Sequence, residues 1–252
     1  MRTASRILRV AALAFFVSFS AEARPFRFEP TDLEMVDSGL MEVDAQFGGF
    51  VGKDSRRLAL PDYEIAIGLT KRVEFDLDGM FGFGGEHLNA LHTLSDPLWP
   101  SAKLGLIDDH DRDAAFSLGL QLGPRLPTND YVGIGYQALA LFGLRKGHAQ
   151  FVFNGGALVD PSPRGQAKRP WGFLGGIDFA LDLDHRGEWS VISQLGIGHY
   201  GRIYEDFATL SGGFAWQVNS KLELSAIALA SPFTHDDRLG VLFGVSPRFQ
   251  LF

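Results

Sequence analysis

The residues able to do chemistry in this chain are carboxylates set at every second position. Glu42 and Asp44, then Asp62 and Glu64, then Glu74, Asp76 and Asp78 fall on alternate residues of three successive segments. Side chains two apart share one face of a strand, so this spacing gathers the acids on one wall. Three bases fall in the same phase of later segments: Lys103, Lys221 and Arg248. Seven acids against three bases leave that wall with surplus negative charge. If the wall bounds a narrow, water-filled space, the field is focused there and favours cations or polar solutes carrying positive groups. If the bases lie against the acids in a small interior, the same residues form a salt-bridged filling that conducts little. Carboxylates this close also share protons, so they titrate as a set. Trp99, in phase with Lys103, offers an aromatic face for a solute, a cation-π contact or packing. Gln121, Gln137, Asn154 and Gln194 share the inward phase, so the remaining wall is expected to be neutral and hydrated.

The elements that must position these residues are strands. In Tyr63-Glu64-Ile65-Ala66-Ile67-Gly68-Leu69-Thr70 the odd positions are bulky and apolar, and the even ones are charged, hydroxylated or small. Val73 to Phe83 repeats the scheme with carboxylates on the even face. That is period two. A soluble sandwich hides its aromatics and turns its acids to water, whereas a transmembrane barrel presents apolar side chains to lipid and polar ones to its lumen.

The start of the chain favours the barrel. Arg2, Arg6 and Arg9 form a basic region, Val10 to Phe19 an apolar stretch, and Ala21-Glu22-Ala23 a small-x-small cleavage pattern. Residues 1–23 thus read as a secretory signal peptide cut after Ala23. No segment supplies the ~20 consecutive apolar residues that span a bilayer as a helix, so any crossing must use strands, and these must close into a ring. Cysteine is absent, which leaves no disulfide framework and no lipidated cysteine. The chain carries a net charge of −7, and loss of Arg2, Arg6, Arg9 and Glu22 with the leader makes it −9. An acidic chain lacks the basic footprint of a nucleic-acid partner.

Alternation places twelve strands near 40–51, 58–70, 73–84, 97–107, 114–124, 134–144, 149–159, 171–183, 188–199, 207–218, 221–231 and 239–251. Connections tend to alternate between short ones, such as Lys71-Arg72 and Asn219-Ser220, and long ones, such as 85–96 and 160–170. Short turns belong on the periplasmic side, which puts both termini there. Residues 24–39 follow neither period; they are expected to hang in the periplasm, with folding back as a plug the alternative. Tyr63, Trp171, Trp189, Tyr200 and Trp216 lie near strand ends, as interfacial aromatics do.

Enzyme chemistry finds little footing. Ser193 and His199 both point outward on the ninth strand, but six residues at ~3.4 Å separate them by about 20 Å. His87, His92 and His235 fall in outer loops. Gly196 to Gly201 matches G-x-G-x-x-G, yet it ends a strand and opens no helix. Asp108-Asp109-His110-Asp111 reads as a solvated acidic turn, with oxygen ligation of a divalent cation the lesser alternative. Lys53, Arg56, Arg57, Arg164, Lys168 and Arg169 sit in outer loops, where lipopolysaccharide phosphates would be near. Nothing in the sequence calls for a cofactor.

Several pieces, in order, resemble one family. Thr31-Asp32, Gly39 through Phe47 and Leu60 through Glu74 are similar to the start of the outer-membrane transporter family named for the MetA pathway of phenol degradation. Asp96 to Leu106, Leu122-Gly123-Pro124-Arg125-Leu126-Pro127-Thr128 and Gly244-Val245-Ser246-Pro247-Arg248-Phe249 resemble later segments of it. Lys71 and Asn129 depart from the family's aspartate and glycine, and Gln250-Leu251-Phe252 runs past its usual end. The resemblance implies an outer-membrane barrel that moves small, often aromatic, compounds. Independently, Leu239, Val241, Phe243, Val245, Pro247, Phe249 and Leu251 share one face, as in a last strand that barrel-assembly machinery recognises. The expectation is an all-β, closed, antiparallel up-and-down transmembrane barrel over 40–252, exported to a bacterial outer membrane. It is expected to pass small solutes, with a closed structural barrel or a lipid-modifying hydrolase as alternatives.

Overall fold

Alternating side chains produce long strands, and in the computed structural model those strands form a ring. It describes residues 35–52, 56–84, 91–92, 98–107, 114–128, 131–163, 169–200, 207–231 and 238–252. The long strands are β1 (Leu40–Val51), β2 (Arg56–Thr70), β3 (Val73–Gly84), β4 (Trp99–Ile107), β5 (Ala114–Arg125), β6 (Gly135–Lys146), β7 (Ala149–Val159), β8 (Trp171–Asp182), β9 (Trp189–Tyr200), β10 (Phe207–Asn219), β11 (Leu222–Ala230) and β12 (Leu239–Gln250). Their positions follow the expected twelve within a few residues. Two short additions were not legible in the sequence. Leu91–His92 pairs with β3, and Tyr131–Val132 pairs with Ser162–Pro163, both among the long connections.

Each long strand pairs antiparallel with the next, and β12 returns to β1 through pairs such as Glu42 with Arg248 and Phe47 with Phe243. Closure gives each of the twelve long strands a neighbour on both sides, so the ring itself has no edge. Among the described residues, no helix is long and apolar enough to cross a membrane. The leader expected over 1–23 lies outside the described residues.

The faces divide as the alternation requires. Along β6 every odd residue from Gly135 to Gly143 is buried and every even one is exposed. The exposed set around the barrel is apolar, including Phe243 at 61% and Phe214 at 56% exposure. A water-soluble protein rarely shows so continuous an apolar surface, whereas a lipid-facing belt requires one. Near the strand ends Trp189 stacks on Trp216, with ring centroids 5.3 Å apart, and Trp171 meets Phe173 edge-on at 5.7 Å. Gly147, at a φ of 56°, makes the tight turn between β6 and β7.

Candidate functional site

The inner wall of β1 to β4 carries the predicted residues in three cross-strand rows. In the first, Asp44 lies opposite Glu64, Glu64 opposite Asp78, and Asp78 opposite Trp99. In the second, Arg248 lies opposite Glu42, Glu42 opposite Ala66, Ala66 opposite Asp76, and Asp76 opposite Ser101. In the third, Gly68 lies opposite Glu74, Glu74 opposite Lys103, and Lys103 opposite Gln121. Like charges directly opposite each other are destabilising. The first row keeps three such carboxylates side by side.

The second and third rows bring acids and bases into contact. Lys103 Nζ donates to Glu74 Oε1 at 3.0 Å, with the two side chains 1% and 0% exposed. Arg248 donates from Nε to Glu42 Oε2 at 2.7 Å and from a terminal nitrogen to the same oxygen. Gln121 Nε2 donates to Asp76 Oδ2 at 3.0 Å and to Ser101 Oγ at 2.8 Å. Asp62 points inward too, but opposite Gln46 and Met80, one level above the three rows. Lys221 sits in the turn before β11 rather than on that strand.

The described end of residues 24–39 folds back against this wall. Val36 is buried with Leu40 and Ala66, and its N–H donates to Glu74 Oε2. Gly39 N donates to Gly68 O at 2.8 Å, and Ser38 Oγ to Leu69 O at 3.3 Å. Gly68 permits the approach, because a Cβ there would meet the carbonyl oxygens of Val36 and Asp37. Met35 helps line a small hollow beside Lys103 and Ser117, with a volume of about 10 Å³.

One expectation is corrected. The wall away from the acids is not simply neutral and hydrated: Trp99, Leu139, Leu141 and Val152 form a buried inward cluster, as do Ala180, Ile192, Ala215 and Ile227. Toward the end of the barrel remote from Leu40 and Gln250, Phe50, Ala59, Met80, Leu229 and Leu242 form another. Each cluster runs along neighbouring strands of the wall: β4, β6 and β7 in the first, β8 to β11 in the second, and β11 round to β3 in the third. The expected inward polar residues are there as well. Asn154 donates to Asp178 at 3.1 Å, and Arg125 pairs with Asp160 while also donating to Gln137 at 2.6 Å. Asp178, Gln46, Ser101 and Glu223 were missed in the sequence, although each is in phase with an inward neighbour. The Asp108 to Asp111 turn, His87, His235, Lys53, Arg164 and Lys168 lie outside the described residues. Arg169 is described and donates to Ile134 O at 2.9 Å.

Among the described residues, several buried polar atoms have no hydrogen-bond partner: both amide atoms of Gln46, Oγ of Ser225 and Ser246, Trp99 Nε1 and Asp76 Oδ1. Gln46 and Ser225 flank Gly244 in register. Buried polar groups normally find partners, and ordered water commonly serves such atoms.

This fold, a closed twelve-strand antiparallel ring that is apolar outside and largely polar within, is that of the outer-membrane β-barrels. An outer membrane channel from Pseudomonas putida F1 matches it with a TM-score of 0.61 at 13% identity, covering 88% of this chain and 100% of that one. The NanC porin matches with a TM-score of 0.61 at 8% identity, covering 83% of this chain and 100% of that one. At such identities the likeness is one of fold. No protein-family model matches the chain, and no curated protein matches it.

Proposed function

We propose that the chain is an outer-membrane channel or passive transporter for small solutes, whose acidic inner wall favours cations and polar solutes with positive groups. One observation carries the reading. Carboxylates from three strands share the inner face in spite of their mutual repulsion, Asp44 opposite Glu64 and Glu64 opposite Asp78. Like charges set directly opposite one another are costly, so a purely structural filling gains nothing from Asp44 facing Glu64 and Glu64 facing Asp78. In this reading the apolar belt contacts membrane lipid and lipopolysaccharide, β12 is what assembly machinery recognises, and residues 1–23 direct export. The likeness in fold to a channel and a porin supports it, as does the resemblance to a transporter family. The inward apolar clusters leave room for small organic or aromatic compounds among the solutes.

A second reading, a closed structural barrel, is favoured by the burial of the Lys103–Glu74 and Arg248–Glu42 pairs and by the segment folded against Glu74. Single-channel recording in planar bilayers separates the two. A channel gives discrete conductance steps and a cation-selective reversal potential that Asp76→Asn and Glu74→Gln weaken. No conductance at high salt, for wild type and both variants alike, leaves the closed barrel. A phospholipid-hydrolysis assay on the same protein tests the enzyme alternative.

A further inference from the structure

We propose that Glu64, Glu74 and Asp76 form a binding site for a hard divalent cation on the inner wall of the barrel. This goes beyond conduction, since an ion can bind here whether or not solutes pass. The three carboxylates present oxygens that all lie within 4.8 Å of one another. Calcium binds oxygen ligands at about 2.3–2.6 Å, so oxygens on opposite sides of one ion stand about 4.6–5.2 Å apart. The triad therefore fits around a single ion without a change in the backbone.

The sequence builds this geometry with small residues. Ala66 faces Asp76 and Gly68 faces Glu74, so the two carboxylates of β3 have no bulky partner across the pair. Glu64, two residues before Ala66 on the same face, reaches them from β2. Asp76 supplies the independent sign of a ligand. Its side chain is 0% exposed, Gln121 bonds one oxygen, and Oδ1 has no hydrogen-bond partner among the described residues. An unmatched oxygen on a buried carboxylate is costly, and a cation satisfies it.

Charge and chemistry select the ion. Three carboxylates converge here, and a divalent cation answers such a concentration of negative groups more strongly than a monovalent one. The donors are all oxygen, with no histidine or thiolate, so hard cations are preferred over zinc or copper. Calcium tolerates an irregular oxygen cage, whereas magnesium demands a near-octahedral one. The competing arrangement is a proton shared among the same carboxylates.

Terbium luminescence on the full mature chain, folded in detergent, decides between them. Terbium stands in for calcium, and Trp99, one strand away across from Asp78, is placed to sensitise its emission. The expected result is saturable emission at about one ion per chain that excess calcium displaces. It should weaken about tenfold or more in Glu64→Gln and in Asp76→Asn, and persist in the variant Asp109→Asn/Asp111→Asn. Calcium should also raise the unfolding temperature of wild type and not of Glu64→Gln. Glu64 is only half-buried, so Glu64→Gln keeps the test valid if Asp76→Asn fails to fold, as heat-modifiable migration on gels will tell. Absence of saturable emission, or emission unchanged in a folded Glu64→Gln, overturns the site. Bilayer recordings read conduction separately, so a barrel that binds no terbium yet conducts refutes this site alone.

Discussion

Replacing Lys103 with methionine tests whether the lumen around the acids is packed or wet. The ammonium lies 3.0 Å from Glu74 Oε1, and both side chains are buried. Methionine keeps most of the stem and removes the charge. Breaking a buried ion pair by deleting one partner costs about 3–5 kcal/mol, because the other charge stays behind in a poor solvent. At about 1.4 kcal/mol per decade, this lowers the folded-to-unfolded ratio by about two to three and a half decades. An ion pair bathed in water is worth only about 0–1 kcal/mol. The two regimes are far enough apart to be told from one urea titration in lipid vesicles, followed by tryptophan fluorescence and gel migration. The double variant Lys103→Met/Glu74→Gln should recover most of the loss, since it leaves neither charge uncompensated. A cost below about 1 kcal/mol for Lys103→Met, or strictly additive losses in the double variant, would refute the packed, coupled pair. In that case the carboxylates face a hydrated passage.

Three further outcomes follow from other parts of the barrel. Phe142, outward between Phe116 at 6.5 Å and Phe153 at 6.3 Å, sits in the lipid belt. Phe142→Arg should cost about 2–4 kcal/mol of folding into bilayers, while Phe142→Leu stays close to wild type. Gly68→Val should expel residues 35–38 from the wall, which increased protease cleavage of that segment in an intact barrel will report, together with any gain in conductance. Asp184 anchors the β8–β9 turn by accepting N–H bonds from Glu188 at 3.0 Å, Arg186 at 2.8 Å and Trp189 at 3.0 Å. These bonds, foremost the one from Glu188, hold its carboxyl below the usual value. A depressed folded pKa adds stability that is present above the unfolded value of about 4 and is lost as pH falls through the folded one. Amide exchange at Glu188 and Trp189 should therefore be faster in Asp184→Asn at neutral pH, and the difference should vanish under strong acid.

What the sequence made legible depended on contrast between the two faces. From Glu42 to Asp78 acids alternate with Val43, Ile65, Phe75 and Leu77, so period two and its phase are both plain, and the structure keeps that phase. From Ala138 to Phe142 both faces are apolar and no phase can be read from hydropathy; Gln137 and Gln121 fix it, which drives Leu139 and Leu141 inward. The same loss of contrast hid the inward Ile192 and Ile227. Contacts on the inner face were hidden for another reason, since period two assigns a face but not a reach. Whether Arg248 meets Glu42 follows from closure of β12 on β1, which alternation implies. That Val36 reaches Glu74 depends on an irregular segment finding the gap above Gly68, and no period encodes it. The acids were therefore found as a wall. Their resolution into a row of facing carboxylates, two ion pairs and a triad around Asp76 came from register, because a shift of one residue in β3 would turn Glu74, Asp76 and Asp78 toward lipid.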